Sequence, residues 1–225
     1  MPRILTRIQR TARPRRCVLL LTLALLLPQL GWAQILGFGS PKFENGSYVL
    51  ESDRTVRHPA QIRLLEDDRV VVKEGNENRR KLWPGDVYSL HIADRKYVKL
   101  EDFRMGRKQV EIAFVELVDS GRVVLMKYDY PVGSPSAMGA NGTMMGGGSS
   151  NATAYLLSGP AGAGPTVVPE SNSKKSVQKF QETLRPYLAA RPDLLQLLEQ
   201  ERITYKNLVA AIHALNTNSP FTPAD

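Results

Sequence analysis

The stretch VEIAFVELVDSGRVVLMKYDY (residues 110–130) carries two apolar runs around a short polar break. Val110, Ile112 and Phe114 alternate with polar residues or alanine, as one buried face of a strand requires. Val115, Leu117 and Val118 then break phase, which implies a bulge or a strand buried on both faces. Asp119-Ser120-Gly121 is expected to close a tight hairpin, with Gly121 at a positive-φ position. The same grammar extends upstream in GSYVLE (46–51), AQIRLLE (60–66), RVVVKE (69–74), DVYSLHI (86–92) and KYVKLEDF (96–103). Asn76–Arg80 and Trp83-Pro84-Gly85-Asp86 read as turns between these runs. Sequential antiparallel strands are the expectation from Phe43 to Tyr130.

Downstream the texture changes. Nine of the 17 glycines fall between Gly133 and Gly164, and GANGTMMGGGSS (139–150) is the densest part. That segment has no Lys or Arg and no helix opening directly after it, so it lacks the parts of a phosphate cradle. A flexible loop at about 131–152 is expected, with Met144 and Met145 exposed to oxidation. TAYLLSG (153–159) and TVV (166–168) read as edge strands. From Ser173, a helix-capping residue, Val177, Phe180, Leu184 and Leu188 recur at helical spacing. Pro186 is expected to kink or divide that helix. Pro192 and Asp193 suit the first turn of a second helix, and Thr204 is the expected cap of a third carrying Leu208, Ile212 and Leu215. The predicted fold class is α+β: a mainly antiparallel sheet body at 34–172, a helical segment of the same domain at 173–216, and a frayed tail at 217–225.

Residues 1–33 read as a signal peptide. Six arginines and no acid precede or flank the eleven-residue run CVLLLTLALLL (17–27), and Ala33 is the expected cleavage position. The run falls short of the roughly 20 apolar residues of a membrane span. Those six arginines are among the chain's 30 basic side chains, so residues 34–225 hold 24 basic against 22 acidic ones. The formal charge of +8 is thus largely a property of the leader, and no basic face for nucleic acid is indicated. The single cysteine, Cys17, lies within the leader, which excludes disulfides and thiolate chemistry from the mature part.

Three stretches in order resemble a family of uncharacterised exported proteins of Bacteroidota: GSYVLESDRTVRHPAQIRL, LWPGDVYSLHIADRKYVKLEDF and FVELVDSGRVVLMKYDY, followed by the helical region that starts at Lys174. The likeness spans 43–216. It implies export, an envelope setting and the α+β layout, and it transfers no catalytic residue. The chain departs from the family pattern in the 24 residues between Tyr130 and Tyr155 and at Pro186.

The side chains offer no catalytic, cofactor or metal site. His58, His91 and His213 stand at spacings that form no H-x-x-x-H or H-E-x-x-H, and zinc needs three or four convergent ligands. Glu66-Asp67-Asp68, Glu101-Asp102, and Glu199 with Glu201 read as solvated acids, without the cross-cleft pairing of glycosidases or the loop spacing of calcium sites. No G-x-S-x-G and no P-loop occurs. Tyr88, Tyr97, Phe103, Phe114, Tyr128 and Tyr130 suit cross-strand packing first and a ligand groove second. Asn45, Asn141 and Asn151 head N-x-[ST] triplets and are expected in polar turns. The expectation is an exported, periplasmic or surface protein, non-enzymatic, meeting an envelope-protein or cell-wall partner, through a strand edge near TAYLLSG or TVV. A hydrolase using acids with His58 or His91, and a carrier of a small lipophilic ligand, are the rivals.

Overall fold

The β-rich texture folds into β1 (Glu44–Leu50), β2 (Arg57–Leu64), β3 (Val70–Lys73), β4 (Arg80–Leu82), β5 (Val87–Ile92), β6 (Arg95–Met105), β7 (Lys108–Asp119), β8 (Val124–Gly133), β9 (Ala137–Met138), β10 (Met144–Met145), β11 (Ser149–Ser158) and β12 (Thr166–Val168). Three helices follow: α1 (Lys174–Leu188), α2 (Pro192–Glu199) and α3 (Leu208–Thr217). The structure is a computed structural model describing residues 42–133, 137–138, 144–145, 149–159, 164–170 and 172–223. Among the described residues, ten strands form one sheet in the order β12-β11-β8-β7-β6-β5-β1-β2-β3-β4, and every pairing is antiparallel. The α+β class is therefore what the chain adopts. No helix of the described residues is long and apolar enough to cross a membrane.

Strand β1 inserts between β5 and β2, and the fit with β5 is close. A Cβ at Gly46 would lie 2.0 Å from the carbonyl oxygen of His91, so only glycine serves there. The buried side chains divide into three groups. Tyr48, Ile62, Val70, Val72, Val87, Leu90, Ile92 and Phe114 pack together inside the curled first half of the sheet. Val123, Leu125 and Leu157 pack under the helices against Phe180, Leu184, Leu194, Leu198, Leu208 and Ile212. Phe103, Val110, Ala113, Val115, Met126, Tyr128 and Leu156 form the third group. Consecutive residues Ala113, Phe114 and Val115 are all buried, and the β7–β8 register shifts between Leu117 and Asp119. Both explanations offered for the broken phase thus hold at once.

Strands β7 and β8 pair only at their turn end, through Glu116↔Lys127, Leu117↔Met126 and Asp119↔Leu125. Beyond that they part, and Asp68 occupies the fork. Reaching in from the β2–β3 turn, where its own φ is 59°, it accepts the Phe114 amide of β7 at 3.0 Å. Its other oxygen lies 3.5 Å from the Tyr128 hydroxyl of β8. Burial is the main cause that pushes the Asp68 carboxyl up to about 6, against the lowering effect of those two donors.

Helix α3 is fixed to the β7–β8 connection by one amide side chain. Asn216 accepts from the Val123 amide (2.9 Å) and donates to the Val123 carbonyl (2.8 Å) and to Asp119 (3.1 Å). Gly121 does not adopt the positive φ expected of it. It is glycine because a Cβ there would come within 2.8 Å of Asn216.

Several boundaries also differ from the sequence reading. The turn after β3 is shorter than Asn76–Arg80: Gly75 takes φ 51°, Glu77 closes on Glu74, and Arg80–Leu82 becomes an edge strand. The ladder of β8 with β11 reaches Gly133 and Ser149, and β9 pairs with β10, so strands enter the 131–152 stretch from both sides. Residues 134–136, 139–143 and 146–148, with the side chains of Met144 and Met145, lie outside the described residues. Asn45 and Asn151 sit in strands, not turns; Asn141 is outside the described residues. Helix α1 runs through Pro186, which falls in the last turn and removes one hydrogen bond near the end, while buried Leu184 and Leu188 hold the helix against its core. Its cap is Ser173, paired reciprocally with Ser176. The cap of α3 is Asn207, whose side chain accepts the Thr204 amide at 2.7 Å, not Thr204 itself. The tail is anchored through Ser219, whose carbonyl accepts from Arg191, and through Phe221, packed on the helical core.

Replacing Asn216 by alanine removes all three contacts at the β7–β8 connection. We expect a loss of about 2 kcal/mol in urea denaturation. For Asp68 the folded-state pKa lies above the unfolded value of 3.8. Its contribution to stability is then fully present below pH 3.8 and is lost as pH rises through about 6. Asp68→Asn keeps an acceptor for Phe114 and removes the charge, so its stability relative to the parent protein should rise between pH 4 and 7. Parallel stability curves for the two proteins over that range would refute the burial argument.

Candidate functional site

A groove of about 940 Å³ opens between the two branches of the fork and the helices. One wall is the β6–β7 hairpin tip with Met105, Gly106, Lys108 and Val110. The other wall carries Tyr128, Tyr130, Pro131 and Val132 of β8 and Thr153 and Ala154 of β11. Val167 to Glu170, then Lys179, Glu182 and Thr183 of α1 and Tyr205, complete it. Its lining is apolar and aromatic, with two lysines and two carboxylates of mixed sign among the lining residues. Tyr128 and Tyr130 stack with centroids 5.8 Å apart, and Phe103 meets Tyr128 edge-on at 5.6 Å.

Among the described residues, the strand beside the groove is covered on one side only in part. Strand β11 pairs with β8 over all ten residues from Ser149 to Ser158, but with β12 only at Tyr155, Leu156 and Leu157. Strand β12 ends at Val168, so its ladder with β11 stops at Tyr155. The Tyr205 hydroxyl takes over there: it accepts the Tyr155 amide at 3.2 Å and donates to the Thr153 carbonyl at 3.1 Å. At the other end of β12 the Tyr187 hydroxyl lies 3.3 Å from the Leu157 carbonyl and 3.2 Å from Thr166. The direction of the Tyr155 amide fixes the alternation, so the amides of Thr153, Asn151 and Ser149 also face away from β8. Pro131 opposite Asn151 agrees, because a missing amide is harmless where β8 does not pair.

The phenols of this site stay protonated. Burial pushes Tyr205 up to about 12, and burial followed by the Asp68 charge pushes Tyr128 up to about 12. They act as hydrogen-bonding groups and packing surfaces, and neither is poised to exchange a proton near neutrality. The arrangement offers shape, apolar contact and backbone hydrogen bonds.

The structure keeps the candidate residues apart. His58 stacks on Tyr48 at 5.0 Å, beside the linked trio of Tyr48, Glu74 and Arg80. His91 lies in a separate polar cleft on the opposite face of the sheet, and His213 contacts Asp119 at 2.8 Å. Of the acids, Asp67 pairs with Arg69, Glu101 with Lys99 and Glu199 with Arg185, while Glu201 sits at the left-handed residue that ends α2. Among the described residues, no three His, Cys, Asp or Glu gather as a metal site would require. The interior of the curl, where a lipophilic ligand would sit, is taken up by Tyr48, Leu90 and Phe114.

Of the six strand aromatics, Phe103, Phe114 and Tyr128 are buried, and Tyr128 and Tyr130 line the groove. TAYLLSG is not the sheet margin it was expected to be: Tyr155, Leu156 and Leu157 pair on both sides and TVV forms the margin, while residues 149–154 of β11 have no β12 partner among the described residues. Tyr205 and Asp68 were not distinguished by sequence. Tyr205 lies in a non-periodic link between helices, and Asp68 is the third of three acids that read alike. No protein-family model, curated protein or solved structure matches this chain.

Proposed function

We propose that the protein is an exported, non-enzymatic binding module of the cell envelope, which takes an extended polypeptide segment as an added strand on β11. The observation that carries this reading is the unequal pairing of β11, complete toward β8 and only three residues long toward β12. Strand addition uses such an edge: main-chain bonds supply affinity, and a flanking groove reads alternate side chains. Here Tyr128, Tyr130, Val110 and Val167 offer apolar contact to every second residue of the guest. The basic leader with its short apolar run, together with the resemblance to exported Bacteroidota proteins, supports the envelope setting.

The test is a peptide-display selection of unstructured segments against residues 34–225. Enriched peptides should alternate apolar and polar residues and slow amide exchange at Asn151 and Thr153. Asn151→Pro removes an outward amide and leaves the β8 ladder intact, so it should weaken those peptides about tenfold or more. Tyr130→Ala should weaken them while keeping the edge. A selection that enriches nothing, or peptides that bind the folded Asn151→Pro protein equally well, would overturn the reading.

A further inference from the structure

On the opposite side of the sheet from Tyr48 and Leu90, strands β1, β5 and β6 carry a second, polar cleft of about 570 Å³. Cross-strand register builds it. Val49 stands opposite Arg57 on β2 and Ser89 on β5, and Ser89 stands opposite Val98 on β6. Two residues along β5, His91 faces Lys96 on β6. Residues in such rows present their side chains to one face.

The charges in this cleft are unbalanced. Arg54, Arg57, Lys96 and Lys99 line it against Glu51 and Glu101. Glu51 binds both Arg54 and Lys99, the latter at 2.9 Å, and Lys99 also reaches Glu101 at 3.3 Å. Arg54 in turn lies over the exposed Tyr88 ring at 4.5 Å. Arg57 and Lys96 are left with no carboxylate partner among the described residues. Both act on His91, whose imidazole is held below its usual pKa first by burial and then by these two cations. The surplus of two positive charges sits in a concave site, where an anion's field is least screened.

We propose that this cleft binds a phosphate group, with Arg57 and Lys96 as its charge partners and Ser89 and His91 as neighbouring hydrogen-bonding groups. The guanidinium of Arg57 offers paired donors that match phosphate oxygens. A phosphomonoester carries close to two negative charges near neutrality, which matches the surplus. The site is separate from the β11 groove and does not depend on it.

The experiment follows the imidazole resonances of His58, His91 and His213 against pH in the 34–225 protein. The probes are inorganic phosphate, glycerol phosphate and phosphatidylglycerol vesicles, with chloride at matched ionic strength as the control. A bound phosphate should move the His91 titration to higher pH while His58 and His213 stay in place. The Arg57→Gln/Lys96→Gln protein, checked for folding by the unchanged His58 and His213 signals, should bind about tenfold or more weakly. A response to the soluble phosphates identifies a free phosphate ligand, and a response to the vesicles alone identifies a lipid headgroup; either supports the site. A shift reproduced by chloride, a shift retained in the double variant, or no shift with any probe overturns it.

Discussion

The parting of β7 from β8 is the constraint from which the rest of the structure follows. A hairpin that stayed zipped would pair Phe114 with β8 and leave no room between the branches. Instead β7 turns into the curled first half, where Phe114 joins Tyr48 and Leu90 in the core. Strand β8 leaves to pair with β11 over ten residues. The Phe114 amide exposed by this divergence needs a partner, because an unsatisfied buried amide is costly. Asp68 provides it from a distant turn, and the upward push on its carboxyl shows that burial opposes the charge. The groove is the open space of the same fork, with Val110 on one branch and Tyr128 on the other.

Most of the fold was legible because strand and helix periods are local properties. Val110, Ile112 and Phe114 announce a strand without reference to any partner, and Phe180, Leu184 and Leu188 announce a helix. Departures occur where a distant residue sets the local choice. Gly121 reads as a turn glycine from its neighbours, yet its role is to clear space for Asn216, 95 positions away in the chain. Thr204 has the chemistry of a cap, but Asn207 takes that position and binds the Thr204 amide from within. Arg80–Leu82 is too short and too charged to signal a strand, and it exists because Val70, Val71 and Val72 present an edge to it.

The candidate site was less legible than the fold, for the same physical reason. Sequence places TAYLLSG and TVV at an edge but does not tell how much of β11 is covered by β12. Coverage depends on where β12 ends, at Val168, and on a phenol from the link between α2 and α3. The polar cleft was equally hidden. Arg57, His91 and Lys96 are scattered along the chain, and only the β2-β1-β5-β6 order brings them onto one face. Neither site contains a motif, since both are made by register.

The treatment of the sheet edges bears on which surface matters. Open edges invite pairing with other chains, and proteins blunt them with short strands, charges and covering side chains. Strand β4, at one margin, is three residues long, two of them the exposed bases Arg80 and Lys81, and Pro84 follows at once. Strand β12, at the other margin, is also three residues long; Tyr187 bonds its Thr166, and Tyr205 bonds β11 just beyond its last pairing. Both margins therefore carry the usual protections. The segment Ser149–Thr153 differs from both: it belongs to a long, continuous strand, and at Thr153 it reaches the groove lined by Tyr128 and Tyr130. Among the described residues, this part of β11 has no strand partner on one side, in a sheet that shields its margins elsewhere, and that contrast is what the proposed strand addition rests on.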